Sequence, residues 1–276
     1  MKKTGIIYLL AIGLLFAFIA CNNPDEKKGE TATTPKYKEE TVSYKLDTVT
    51  MNGYVVYDES TNKKRPAVLV VPEWWGLNDY PKMRAKQLAE LGYIAFAVDM
   101  YGNGKTVDNP TDAGNMSTPF YANPQLAKDR FDAAVKRLKE YSVTDPNNIA
   151  AIGYCFGGGV LLNNARMGEN INGIVSFHGG LNGAPPNKDL LKTRILVCHG
   201  EADPFVPQAE ADKFKKQMDS IGADYIFKGY PGATHAFTNP AATDVGKKFN
   251  IPIAYNAAAD SASWNDMKAF FGMIFK

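Results

Sequence analysis

Residues 151–159 read AIGYCFGGG: an apolar run ends at Gly153, a thiol follows at Cys155, and three glycines come next. Strand chemistry gives way there to backbone that must approach its neighbours closely, since glycine carries no Cβ to prevent it. The spelling is that of the G-x-S-x-G turn between a strand and a helix, with cysteine in place of serine. A thiol at such a turn lies at a helix N-terminus, which favours thiolate over thiol, and is a candidate nucleophile. A cysteine after a core strand is also commonly an inert buried thiol, so the other residues of the chain have to decide.

A thiol nucleophile needs a base to take its proton, an acid to orient that base, and donors for the oxyanion of the tetrahedral intermediate. Asp203 in HGEADPFVP and His235 in PGATHAF supply the acid and base types. The order nucleophile, acid, histidine is that of α/β-hydrolases, and differs from the chymotrypsin and subtilisin orders. His178 in SFHGG and His199 in VCHGE are rival bases. Neither follows the last strand, and both read as structural polar residues at strand ends. The 3 histidines are scattered without Glu or Cys at ligand spacing, so no metal site is expected. Glu73 in VVPEWWGLN is a fourth reactive residue, expected on a solvent-accessible loop; taken alone it reads equally well as a solvated carboxylate or as part of a site.

The elements that must carry these residues follow from the apolar pattern. Segments 41–48 (TVSYKLDT) and 51–58 (MNGYVVYD) alternate and form an expected antiparallel pair. Continuous apolar runs at 66–72, 93–99, 148–154, 173–177 and 194–200, with 224–230, read as strands of a buried sheet. Helical spacing falls at 80–92, near 124–141, from Phe156, at 207–220 and near 257–274. Strands separated by helices imply βαβ crossovers, hence a mostly parallel central sheet with helices on both faces. In such sheets ligand chemistry belongs at the carboxyl ends of strands, and Glu73, Cys155, Asp203 and His235 each follow an apolar run. Trp74 and Trp75, with Tyr101, Phe120 and Tyr121 on the expected loop region after the fourth strand, either line an apolar acyl pocket or simply pack. Cys198 lies inside its run and reads as an unreactive thiol. Its strand is separated from that of Cys155 by GIVSF, about 9.5 Å away and too far for a disulfide.

From about residue 40 to the C-terminus the chain resembles the dienelactone hydrolase family, through VVPEWWGLN, GYCFGGG, HGEADPFVP, THAFTNP and AYNAAADSASW in that order. The resemblance implies an α/β-hydrolase domain over 37–276 that opens esters or lactones with a triad of Cys155, His235 and Asp203. It implies that Glu73 contacts the resting thiol and helps activate it, and that the backbone N–H groups of Trp74 and Phe156 form the oxyanion hole. No cofactor is implied. The alternative is a binding lipoprotein that keeps the fold without turnover. The family holds the carboxylate of dienelactone with two arginines, and the matching positions here are Asn103 and Asn239. Neither supplies a charged bidentate donor. Lys105 is close enough in sequence to compensate in part. The expectation is therefore a preference for uncharged esters or lactones.

At the N-terminus, Lys2 and Lys3 precede an apolar stretch over residues 5–20 that ends in FIAC. A charged start and an apolar run shorter than a usual membrane span read as an export signal over residues 1–20. The sequence before Cys21 resembles a bacterial lipobox, with Phe18 departing from the usual leucine. That resemblance implies cleavage before Cys21 and lipid attachment to it, and hence a membrane-anchored protein facing the periplasm or the cell surface. An ordinary signal peptide or an uncleaved anchor remains the alternative. Residues 21–36 are polar and rich in Pro, Gly, Thr and charge, as in a flexible tether. The chain of 276 residues is 45% hydrophobic, enough for one domain with a substantial core. A net charge of +2 and the absence of a basic stripe interleaved with aromatics speak against a nucleic-acid partner.

Overall fold

Eight strands form one sheet in the order β1-β2-β4-β3-β5-β6-β7-β8, in a computed structural model that describes Met1 and residues 34–275. The strands are β1 (Tyr37–Leu46), β2 (Val49–Asp58), β3 (Arg65–Val71), β4 (Ile94–Ala97), β5 (Thr144–Tyr154), β6 (Gly173–Phe177), β7 (Arg194–Gly200) and β8 (Tyr225–Tyr230). The β1–β2 and β2–β4 pairings are antiparallel and every later one is parallel. The expected antiparallel entry and mostly parallel sheet are both present. Residues from Thr34 onward form one compact unit. The export signal, Cys21 and the tether up to residue 33 lie outside the described residues.

Among the described residues there are seven helices, five between strands and two after β8: α1 (Asp79–Glu90), α2 (Pro110–Ala122), α3 (Pro124–Lys139), α4 (Phe156–Arg166), α5 (Gln208–Ile221), α6 (Ala242–Phe249) and α7 (Ala257–Ile274). Alternate residues of β3 face opposite layers, as a strand's twofold side-chain period requires. Ala67, Leu69 and Val71 join a core with Phe131 of α3, Leu161 of α4 and Phe214 of α5. Val68 and Val70 join a second core with Leu88 of α1 and Met267, Phe270 and Phe271 of α7. Both faces of the central strands are therefore dry, which is why their sequences are continuously apolar rather than alternating.

Two helices differ from the sequence reading. Phe120 and Tyr121 stand on α2, not on a loop; Asn109 caps it by accepting from the Asp112 amide, and Pro110 occupies its first turn. Gly114 and the internal Pro119 disguise this helix in the sequence. The short α6 follows the histidine loop and is capped by Asn250, whose φ of 52° is left-handed.

Candidate active site

The turn after β5 is built by close backbone approach. Cys155 adopts φ 52° and ψ −114°, a conformation that costs a non-glycine residue about 1–3 kcal/mol and persists only where its surroundings enforce it. The enforcement is visible in the glycines. A Cβ on Gly153 would stand 2.4 Å from the Gly157 carbonyl oxygen, and one on Gly157 would stand 2.4 Å from that of Val71. Helix α4 thus begins directly against β3 and β5, leaving the half-buried thiol of Cys155 at its N-terminus.

That N-terminus has no side-chain cap. The Gly157 amide donates to the Pro72 carbonyl (3.1 Å), whereas the amides of Phe156 and Trp74 have no protein acceptor. Two free N–H groups on residues that line one cavity with the thiol, one at the positive end of a helix dipole, suit an oxyanion.

Asp203 sits in the turn after β7 and is buried. One of its oxygens accepts from the Phe205 and Val206 amides (2.8 and 3.3 Å) and the other meets His235 Nδ1 at 2.8 Å. His235 lies in the loop after β8, and its ring and the Cys155 thiol line the same cavity. Burial by itself would lower the His235 pKa. The charge of Cys155, the bond to Asp203 and the charge of Asp203 outweigh it and raise the value to about 10. The three residues expected from separate strand ends are therefore brought to one place.

Glu73 also lines this site, but it is buried, at 3% exposure, and not on a solvent-accessible loop as the sequence suggested. Its Oε2 accepts from Asn239 Nδ2 at 2.7 Å. Desolvation pushes its pKa up to about 7, against the Asn239 bond and the charges of His235 and Arg84. Asn239, which the sequence marked only as a missing arginine, is thus the carboxylate's partner. No pattern in the chain announced that pairing.

These residues open onto a cavity of about 340 Å³ whose walls include Trp74, Trp75, Phe120, Tyr121, Phe156 and Phe205. Two candidate substrate residues lie elsewhere. Tyr101 supports the wall from behind: its hydroxyl donates to the Trp74 carbonyl at 2.7 Å, and its ring packs on Phe120 and Phe156. Lys105 is exposed and outside the cavity lining. The reason is the loop after β4, where Asp99 accepts from the amides of Asn52, Gly102 and Gly104 and Thr106 bridges to Gly76. Asn103 is exposed on that loop, with φ 56°. The lining contains neither Lys nor Arg.

The two other histidines are engaged elsewhere. His199 is buried against Phe227. His178 is buried with its Nδ1 accepting from the Cys155 backbone amide at 3.1 Å. Cys198 is buried in β7, two strands from β5, and unbridged like Cys155. Among the described residues no group of three or more His, Cys, Asp or Glu gathers as a metal site would require.

Comparison with known proteins agrees with this architecture. The model of the dienelactone hydrolase family matches residues 51–275. The chain is 32% identical to Protein usf of Aquifex pyrophilus over 83% of its own length and 96% of the relative's. It is 33% identical to a putative carboxymethylenebutenolidase of Aquifex aeolicus over 74% of its length and 89% of that protein's. Among solved structures, a dienelactone hydrolase-like promiscuous phosphotriesterase from metagenomic libraries superimposes with a TM-score of 0.81 at 32% identity, covering 87% of this chain and 99% of the other. A strand order, a set of strand-end residues and a family match over most of the chain converge: the protein is a hydrolase of the α/β-hydrolase fold and belongs to the dienelactone hydrolase family.

Proposed function

We propose that the protein hydrolyses uncharged carboxylic esters or lactones through a thioester on Cys155, and that it does so outside the cytoplasm, tethered to a membrane by lipid on Cys21. The observation that carries the chemistry is that the Asp203–His235 pair and the Cys155 thiol meet at one cavity, where the Trp74 and Phe156 amides are unpartnered. His235 takes the thiol proton through the ring nitrogen not engaged by Asp203. The sulfur attacks the carbonyl carbon, and the resulting oxyanion accepts from Trp74 and Phe156. Collapse breaks the carbon–oxygen bond to the alkoxy group, which leaves with the proton from His235. Water deprotonated by His235 then attacks the thioester and releases the acid and the thiol. Glu73, beside this centre, acts on the thiol when substrate enters.

The preference for neutral substrates rests on the cavity. Its walls carry no Lys or Arg, His235 is already engaged by Asp203 and Asn239 by Glu73, and Lys105 is held outside. A substrate carboxylate would be desolvated there without a partner. Comparison of kcat/KM for matched esters with and without a distal carboxylate tests this. A tenfold preference for the acid, about 1.4 kcal/mol of transition-state binding, would reject it.

Two measurements test the remainder. An activated ester should give a burst of product and an acyl adduct at Cys155 by mass spectrometry; turnover by the Cys155→Ala protein would refute the thioester route. Export and anchoring are supported by the charged start, the apolar run and Cys21. Lipid labelling should be lost in Cys21→Ala, and labelling that persists would reject the attachment site.

A further inference from the structure

His178 follows β6 directly, beside the turn that carries Cys155, is 1% exposed, and adopts φ 42°. Both its ring nitrogens are engaged. Nδ1 accepts from the Cys155 amide at 3.1 Å, an amide that also donates to the Phe177 carbonyl at 3.0 Å in continuation of the β5–β6 ladder. Nε2 meets Thr238 Oγ1 at 2.7 Å. The first bond fixes the tautomer: a ring whose Nδ1 accepts carries its proton on Nε2, so His178 donates to Thr238. The Thr238 hydroxyl also hydrogen-bonds the Tyr80 hydroxyl, 2.6 Å away, whose oxygen receives Arg84 Nε at 3.3 Å.

Thr238 lies three residues beyond His235, on the same loop. Its carbonyl accepts from Arg84 Nη2 at 2.6 Å, and Arg84 is paired with Asp260 of α7. One buried ring therefore spans the turn that carries the thiol and the loop that carries its base, with the Arg84–Asp260 pair behind. The rings of His178 and His235 are 5.3 Å apart.

We propose that His178 is a positioning residue for hydrolysis, which as a neutral ring ties the Cys155 turn to the His235 loop through Thr238 and so sets the thiol–imidazole geometry. The role rests on the reading of Cys155 and His235 as nucleophile and base. Protonation of Nδ1 would turn an acceptor into a donor facing the Cys155 N–H and break the tie. Burial, first, and then the charges of His235 and Arg84 hold the His178 pKa well below the usual value, which keeps the ring in the required form.

Substitution separates positioning from simple packing. In His178→Leu the acceptor is gone, whereas in His178→Asn the side-chain oxygen replaces Nδ1 and the residue type tolerates positive φ. The leucine variant should lose about 10- to 100-fold in kcat with KM within about threefold, and the asparagine variant should recover most of that loss. Equal kcat in wild type and His178→Leu, or equal impairment in both variants, would overturn the proposal. Nitrogen-15 spectra of the histidine-labelled wild-type protein provide a readout that needs no variant to fold. His178 should hold the Nε2–H tautomer and not titrate between about pH 5 and pH 9, and a titrating ring or an Nδ1–H tautomer would refute the role. Hydrolysis that survives Cys155→Ala is a different result: it would sink the thiol reading, while the spectra still report on the tautomer.

Discussion

The two described cysteines stand on strands of one sheet and meet opposite environments. Cys198 lies within β7 in ordinary strand register, fully buried, with the Tyr230 hydroxyl against its sulfur at 3.5 Å. Desolvation, opposed by the Tyr230 bond, pushes its pKa up to about 12. Cys155 lies one residue beyond its strand, at φ 52°, with a helix N-terminus ahead of it and an imidazole beside it. Position along a strand separates the two: inside the ladder a thiol is packing, and just past the ladder it is presented to a cavity.

The sharpest way to break this contrast is to remove each thiol. Cys155→Ala should reduce kcat by about 10⁴-fold, and rates near wild type would place the nucleophile elsewhere. Asp203→Asn should cost about 10³- to 10⁴-fold while folding is retained, since the bond that orients His235 is lost; a loss under tenfold would show that the ring does not depend on that carboxylate. The same pair of residues sets a pH dependence. His235 is raised in the folded protein to about 10, so its contribution to stability is complete below the unfolded value near 6.5 and is lost as pH rises through 10. Denaturant titrations of wild type should show that decline, and those of Cys155→Ala should show a shallower one.

Glu73→Gln should slow turnover about tenfold and raise stability at alkaline pH. A buried carboxyl whose folded pKa is raised to about 7 favours the fold below its unfolded value and loses that advantage as pH climbs through 7. The variant should therefore gain about 1–3 kcal/mol relative to wild type above pH 7, a gain that vanishes near pH 4. Absence of any pH-dependent difference would mean that the carboxyl is not penalised by burial. The smallest functional effect belongs to Cys198→Ala, with kcat within about twofold and a stability loss of about 1–2 kcal/mol measured by unfolding.

Much of this arrangement could be read from the chain because the parallel strands are apolar on both faces and Glu73, Cys155, Asp203 and His235 come just after them. GYCFGGG announced its own turn, since only glycine permits such approach. What could not be read has equally specific causes. Helix α2 carries Gly114 and Pro119, which depress helical propensity, yet Asn109 and Pro110 start it and Phe120 anchors it in the core. The burial of Glu73 depends on Asn239, 166 positions away. Lys105 was close in sequence to the site, but the demand of Asp99 for three backbone amides turns that loop outward. His178 looked like one more strand-end histidine because its role depends on a φ of 42° that no local pattern encodes.

The glycines around the elbow also constrain how the protein can change. A Cβ on Gly158 would stand 2.6 Å from Ser176 Oγ, and one on Gly179 would lie 2.4 Å from the same oxygen and 2.7 Å from the Gly158 backbone. With Gly153 and Gly157 they interlock β3, β5, β6 and α4, so no single enlargement there leaves the thiol where it is. Phe205 and Tyr121, by contrast, stand 52% and 59% exposed at the cavity. A library built to alter substrate range should therefore leave the elbow untouched and vary the rim, where side chains can be exchanged without moving the Cys155 sulfur.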